Sequence, residues 1–380
     1  MRHAQIDALR GLALLGICVI NVWMLAYGYQ QTHLAYYPRL DGAADTLSMG
    51  AVVWLAEGKF YPIFAFLFGA GYWLMRQSAR RAGLLADFAN IYRRRLRWLL
   101  AAGVLHGCLL YAGDILTMYA LTGMVLVQVA DRRPKALLRV IRTCLIYLLV
   151  CYGLGVLADV GAGMRSAWQG ERLSDSIAAF RLAQQHSWVA MLPARVSAYL
   201  MNQLGVILAL PELLCLFLAG VLSVRLGVLT RPQRHRARLR RWMLAGLGLG
   251  LPLNALLAWQ ALDELNGRPG SWLNLLDDIG VFLHPLLAFG YVAGFLLLVP
   301  RMVAWLAPAG RMALTNYLSQ SLLGVLILSP AFSRPQLLLY CAAVFLAQCL
   351  FSQWWLRRHP IGPMEAIWRR YTYRDAKIEG

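Results

Sequence analysis

Asp7-Ala8-Leu9-Arg10-Gly11-Leu12-Ala13-Leu14-Leu15-Gly16-Ile17-Cys18-Val19-Ile20-Asn21 opens a stretch that stays apolar to about Tyr29, long enough to cross a bilayer as a helix. A charged group at mid-bilayer costs about 3 kcal/mol on insertion scales, so charges inside a span are rare and usually functional. Eleven residues separate Arg10 from Asn21. That spacing returns them to one helix face, about 16 Å apart along the axis. The first helix therefore reads as a polar seam crossing most of a bilayer. The bland alternative is that Asp7 and Arg10, three residues apart near the membrane surface, only pair with each other or reach lipid phosphates.

The rest of the chain repeats the first stretch's composition. Of 380 residues, 59% are hydrophobic and 14% charged, too few polar groups to cover a water-exposed surface. The net charge of +19 would suggest nucleic acid in a soluble chain, but here Arg and Lys fall in short clusters between apolar runs, as in cytoplasmic loops. Nucleic-acid binding is excluded as a function class. Cys18, Cys108, Cys144, Cys151, Cys215, Cys341 and Cys349 all lie in apolar stretches without metal-type pairing and read as buried apolar residues. No metal is expected. Met1-Arg2-His3 leads into a long apolar segment without a small-residue cleavage site, which reads as a retained span.

Counting apolar stretches of spanning length predicts an all-α polytopic bundle of about ten transmembrane helices. They are expected at 6–29, 60–77, 95–112, 114–131, 135–158, 197–224, 241–262, 275–299, 302–328 and 335–357. The basic runs Arg76 to Arg97, Arg132 to Lys135, Arg225 to Arg241 and Arg357 to Arg370 all follow even-numbered spans, which puts both termini in the cytoplasm. On the far side, the loop Gln30 to Lys59 holds an apolar shoulder, Leu47 to Ala56, too short to span and expected at the membrane surface. Asp159 to Val196 reads as an interfacial or external helix. Residues 1–375 form a single transmembrane domain, and 376–380 look like a foreign remnant. Gly246-Leu247-Gly248-Leu249-Gly250 suits close helix packing.

With the loops removed, the polar residues inside spans are Asp7, Arg10, Asn21, His106, Asp114, Glu212, Asp277, Asp278, His284, Arg311 and Asn316. Several such groups together imply a shared hydrated cavity. His106 and Asp114 fall at the outer end of the third span and the turn after it, where they can frame a cavity mouth. A single histidine on an apolar helix is more often a packing residue. Glu212 follows Pro211 and His284 precedes Pro285, places where a proline frees backbone carbonyls. No phosphate-cradling loop, nucleophile elbow or His-Glu-x-x-His metal helix is present. Chemistry must therefore be assembled from different helices.

Two pairs of blocks carry a resemblance. Ile6-Asp7-Ala8-Leu9-Arg10-Gly11 through Asn21 with Phe60-Tyr61-Pro62-Ile63-Phe64, and Gly310-Arg311-Met312-Ala313-Leu314-Thr315-Asn316-Tyr317 with Gly362-Pro363-Met364-Glu365-Ala366-Ile367-Trp368-Arg369, resemble the YeiB family of bacterial inner-membrane proteins. The first-helix motif is similar to that of the wider transmembrane acyltransferase superfamily, which includes sugar O-acyltransferases of bacterial envelopes and heparan-alpha-glucosaminide N-acetyltransferase. This resemblance implies a multi-pass protein of the inner membrane that moves an acyl group, acetyl above all, from cytoplasmic acyl-CoA to an acceptor on the periplasmic side. Many O-acyltransferases end the first helix with a histidine where this chain has Asn21. In the heparan enzyme an asparagine there precedes a catalytic histidine in the next loop, and His33 sits near the corresponding place.

The resulting expectation assigns His33 as general base and Asn21 as donor to the developing oxyanion. Arg10 and Arg311, helped by Arg93, Arg94 and Arg97, would hold the phosphates of coenzyme A, with membrane lipids as the surrounding partner. Asp7, His106, Asp114, Glu212, His284 and Asn316 are expected to line the cavity. The sequence leaves open a homodimer, the acyl chain and the acceptor. The rival reading is a carrier whose buried polar groups coordinate a small solute, with helices broken near Pro62, Pro211, Pro252 and Pro285. A non-catalytic scaffold or lipid-binding protein is the third.

Overall fold

The computed structural model describes residues 3–27, 42–162, 188–265, 274–298, 300–328 and 331–374. Among these residues the chain is all helical, without strands. Its α-helices are α1 (Ala4–Tyr27), α2 (Ala43–Leu55), α3 (Phe60–Arg81), α4 (Phe88–Leu109), α5 (Leu116–Val129), α6 (Pro134–Ala162) and α7 (Leu192–Arg225). Then follow α8 (Arg236–Leu265), α9 (Asn274–Leu298), α10 (Pro300–Arg311), α11 (Ala313–Ile327), α12 (Arg334–Arg358) and α13 (Pro363–Thr372). Among the described residues, six helical runs are long and apolar enough to cross a membrane, or seven if the bent α7 is one span, where the sequence led to an expectation of about ten. Large apolar side chains such as Leu157, Leu204, Trp259 and Leu339 lie exposed around the bundle, as a lipid-facing surface requires. The chain is a multi-pass membrane protein.

Two expected spans are built differently from their sequence reading. The shoulder Leu47 to Ala56 is no surface element: α2 and α3 form one 39-residue run, Ala43–Arg81, interrupted at 56–59. Trp54 Nε1 donates to Leu251 O at 2.8 Å. Leu251 lies ten residues, about 15 Å, beyond Arg241, so the interruption falls within the bilayer. Gly58 adopts φ 74° there, and a Cβ at this position would strike the His284 ring. The fully buried Lys59 folds back so that Nζ donates to Val53 O at 2.7 Å, satisfying a carbonyl in the last turn of α2.

The expected span 302–328 is two helices that reverse at Met312. A Cβ on Gly11 would approach Leu306 O and one on Gly310 would overlap the Asp7 backbone, so α10 runs antiparallel to α1. Gly324 packs on Leu25, so α11 climbs back beside α1. Small residues also permit a close crossing where Gly69 of α3 meets the backbone of Phe217 and Gly220 of α7 meets that of Phe66. Both described ends of the chain lie on the basic face: α13 docks Trp368 onto Arg95, with Nε1 donating to Arg95 O at 2.9 Å. The main core fills this half, and a second cluster around Trp23, Met49 and Cys341 fills the other.

Candidate functional site

α4 carries His106 in its last turn, and the chain leaves the helix with both Leu110 and Tyr111 N–H groups donating to His106 O at 2.9 Å. The turn that follows delivers Asp114. His106 Nδ1 donates to Asp114 Oδ1 at 2.8 Å, while Asp114 Oδ2 accepts the backbone N–H of Thr117 at 2.9 Å. One carboxylate thus orients the imidazole and completes the first turn of α5. Thr117 Oγ1 shares a 2.9 Å hydrogen bond with the Tyr199 hydroxyl on α7. Both members of the dyad are buried, His106 at 3% and Asp114 at 0% exposure.

His106 Nε2 is buried without a hydrogen-bond partner among the described residues. An ionised carboxylate only accepts, so the Asp114 contact assigns a ring proton to Nδ1, and in the neutral form of the imidazole the lone pair is then on Nε2. The ring lies between Tyr317, with centroids 5.0 Å apart, and Tyr111 at 6.2 Å. The Tyr111 hydroxyl donates to Asn21 Oδ1 at 3.1 Å. The same hydroxyl lies 2.7 Å from Met24 Sδ, and with its oxygen toward Tyr111 the Asn21 amide turns its nitrogen away, able to donate. Tyr111 thus links the buried His106 ring to the half-buried Asn21 amide, on the side of the bundle away from the arginine clusters.

The other expected residues fall elsewhere. Arg10 Nη1 donates to Asp7 Oδ1 at 2.8 Å, the pairing of the bland reading. The stretch of α1 between Arg10 and Asn21 is filled by Leu14 and Ile17, packed into the main core, so the polar seam is interrupted by apolar packing. Arg311 Nη2 donates to Pro360 O at 3.0 Å on the same face as Arg10. Arg93 and Arg97 are exposed and Arg94 is half-buried. Glu212 accepts the Tyr61 hydroxyl. His284 Nδ1 bonds Asn254 Oδ1 at 2.9 Å. Asn316 Nδ2 donates to Ala309 O and Ser352 Oγ at 3.0 and 3.1 Å, within a buried amide network that joins α10, α11 and α12. His33 and the side chains of Asp277 and Asp278 lie outside the described residues. A groove of roughly 600 Å³ between α2 and α8, with Thr46, Trp54, Trp259 and Asp263 in its walls, contains none of the expected site residues.

A family model described as "Protein of unknown function (DUF418)" matches residues 223–375. The uncharacterized protein YeiB of Escherichia coli (strain K12) is 31% identical over 99% of this chain and 97% of its own length. The chain belongs to the YeiB family. The uncharacterized protein YxaH of Bacillus subtilis (strain 168) is 29% identical, covering 98% of this chain and 94% of its own. An uncharacterized 39.9 kDa protein in the amylase 3' region of Bacillus acidopullulyticus is 28% identical at the same coverage. No solved structure matches the chain.

The two C-terminal blocks through which the sequence resembles the YeiB family meet in space. Glu365 Oε1 accepts the backbone N–H groups of Leu314 and Thr315 at 2.8 and 3.1 Å, and Met364 N–H donates to Thr315 Oγ1 at 3.1 Å. Sequence reading left out several buried polar residues of this YeiB-family chain. Asp45 and Arg334 form a buried ion pair between α2 and α12. Lys59 was masked by its place in an apparent loop, and Arg334 by a break between spans. Tyr111 and Tyr199 carry no signal of their own, because nothing in a sequence distinguishes a tyrosine in a site from one in a core.

Proposed function

We propose that this YeiB-family chain is a membrane-embedded acyltransferase of the bacterial inner membrane, with His106 in the role that sequence reading gave to His33. Acyl-CoA is the donor, presented from the basic cytoplasmic face where Arg93 and Arg97 are exposed and to which Arg10 and Arg311 also belong. The acceptor is a hydroxyl or amine on the opposite side. His106 Nε2 takes the proton of the acceptor as its oxygen or nitrogen attacks the thioester carbonyl. The Asn21 amide donates to the oxyanion that develops. The C–S bond then breaks, and the protonated imidazole returns its proton to the leaving thiolate, so coenzyme A departs as the thiol. Asp114 keeps the ring in the required tautomer and stabilises the imidazolium.

The observation that supports this reading best is the combination at His106: one ring nitrogen tied to a carboxylate at 2.8 Å, the other buried and unpartnered. Nine residues separate Arg97 from His106, about 14 Å along α4, a span an extended cofactor arm must cover. The test is transfer of labelled acetyl from acetyl-CoA to membrane extracts by the purified protein. His106→Ala is expected to lower the rate on the order of 100-fold or more while coenzyme A binding persists. Equal rates for wild type and His106→Ala end the proposal.

A carrier is the second reading, and one feature favours it. The break at Ala56–Lys59 and the 71° bend of α7 are neighbours, joined by the Tyr61 to Glu212 hydrogen bond, and interrupted spans of this kind surround midplane solute sites. Solute uptake by vesicles that survives His106→Ala and is lost with Lys59→Met supports that reading instead.

A further inference from the structure

α7 is anchored very unequally along its length. Its inner arm, Ala209–Arg225, supplies Leu213, Leu216, Phe217, Leu218, Val221 and Leu222 to the main core, crosses α3 at Gly69 and Gly220, and is tied by Glu212 to Tyr61. The outer arm, Leu192–Leu204, turns away by 71°. It packs through Ala198 and Tyr199 in a small satellite cluster with Ala112 and Cys108. Its cross-links among the described residues include the bond from Tyr199 to Thr117 and one from Asn202 Nδ2 to Ala112 O at 3.3 Å. Leu200, Met201 and Leu204 of this arm are 56–66% exposed and face lipid. An element with few buried apolar contacts opens at lower free energy than the core it leans on.

Tyr199 is the wall between that lipid and the dyad. Its ring lies where a Cβ on Gly107 would be, and its hydroxyl meets Thr117, the residue whose N–H holds Asp114. The turn above is closed too, with Tyr111 and Ala112 buried. Among the described residues that close off His106, the outer arm of α7 is the lightly held piece.

We infer that the outer arm of α7 is a lateral gate and that the acceptor is an amphiphile of the outer leaflet, whose polar head enters beside Tyr199 while its apolar part stays in the bilayer. The inference rests on the acyl-transfer reading of His106. Among the described residues the site borders the hydrocarbon through this lightly held arm, the side from which an amphiphile arrives.

The experiment uses the full-length protein in vesicles containing a single-chain amphiphile with a diazirine on its head group, and, separately, a water-soluble diazirine. Ala198→Cys is joined to the native Cys108 by a reducible bridging reagent. The amphiphile is expected to label residues 106–117 in the unbridged protein, to lose that labelling on bridging and to regain it on reduction, while Tyr199→Ala increases it. Labelling confined to Leu200, Met201 and Leu204 with or without the bridge overturns the gate. Labelling of residues 106–117 by the water-soluble probe alone overturns the amphiphile. Neither readout needs turnover, so a protein that transfers no acyl group can still show the gate, and an active enzyme can still lack it.

Discussion

Glu365 accepts the Thr315 hydroxyl at 2.6 Å across fifty residues of chain, while its other oxygen takes two backbone N–H groups at the start of α11. A helix N-terminus carries unpaired N–H groups and a partial positive charge, and a carboxylate from another helix answers both. The contact sets the reversal at Met312, because α11 begins where the Glu365 carboxylate waits. It also fastens α13 beneath the bundle.

Glu365→Ala removes three accepted hydrogen bonds and leaves partly buried donors behind. Charge-assisted bonds of this kind are worth about 1.5–3 kcal/mol each when the partner is lost, with incomplete additivity. The expected outcome is a fall in the melting temperature of the detergent-solubilised protein, with Glu365→Gln falling less because its carbonyl still accepts. An unchanged melting temperature for Glu365→Ala contradicts the capping role.

The glycine run of α8 yields a paired comparison. A Cβ on Gly246 would sit 2.6 Å from Gly290 Cα, and one on Gly250 would sit 2.9 Å from Leu287 Cβ, whereas one on Gly248 meets nothing within 4 Å. Gly246→Leu is expected to force α8 and α9 apart and destabilise by about 1–3 kcal/mol or more. Gly248→Leu points to lipid and is expected to be neutral. Thermal unfolding of the two variants side by side checks the register, and equal losses contradict it.

Much of this architecture was legible in the chain. Apolar runs and arginine clusters announced an all-α membrane bundle with a basic face, though about ten spans were expected and six or seven helical runs qualify among the described residues, and the run Gly246 to Gly250 announced close helix packing. The break at Ala56–Lys59 was not legible, because Glu57-Gly58-Lys59 looks the same in a loop as in a mid-membrane interruption. What decides is the partner for the freed backbone, here Lys59 on Val53 O, and the neighbour His284 that accepts only a glycine beside it. Likewise, Arg10 and Asn21 share a face by arithmetic alone. Only three-dimensional packing shows that Leu14 and Ile17 fill the space between them. The His106 dyad was half legible: both residues stood out as polar groups in apolar surroundings, but their eight-residue separation spans a helix end and a turn whose geometry the sequence does not fix.

The buried pair of Asp45 and Arg334 joins the outer half of the interrupted span to α12, with the Arg334 guanidinium 5.6 Å from the Tyr27 ring centroid and 5.9 Å from that of Trp23. Removing one partner leaves an uncompensated charge in a dry place, a loss of about 3–5 kcal/mol, whereas replacing both by apolar residues is often nearly neutral. Asp45→Leu alone is therefore expected to destabilise strongly, and Asp45→Leu with Arg334→Met to recover much of the loss. A double variant as unstable as the sum of the singles contradicts the coupling, as a thermal-melt mutant cycle reads directly.

Asp114→Asn separates orientation from presence at the candidate site. The carboxylate in the native protein can only accept from His106 Nδ1, which fixes the proton there. An amide in its place can present its NH₂ group to the ring, and the imidazole then accepts through Nδ1 and carries its proton on Nε2, the wrong tautomer for a base. The shape of the site is nearly unchanged, since Asn is isosteric and its other atom still lies beside the Thr117 N–H. Nitrogen-15 spectra of labelled histidine are expected to show Nδ1 protonated in the native protein and Nε2 protonated in Asp114→Asn. Transfer activity is expected to fall on the order of 100- to 10,000-fold with little change in coenzyme A binding, the range that a misoriented general base costs. Identical tautomers in both proteins would falsify the role given to Asp114, whatever the activity does.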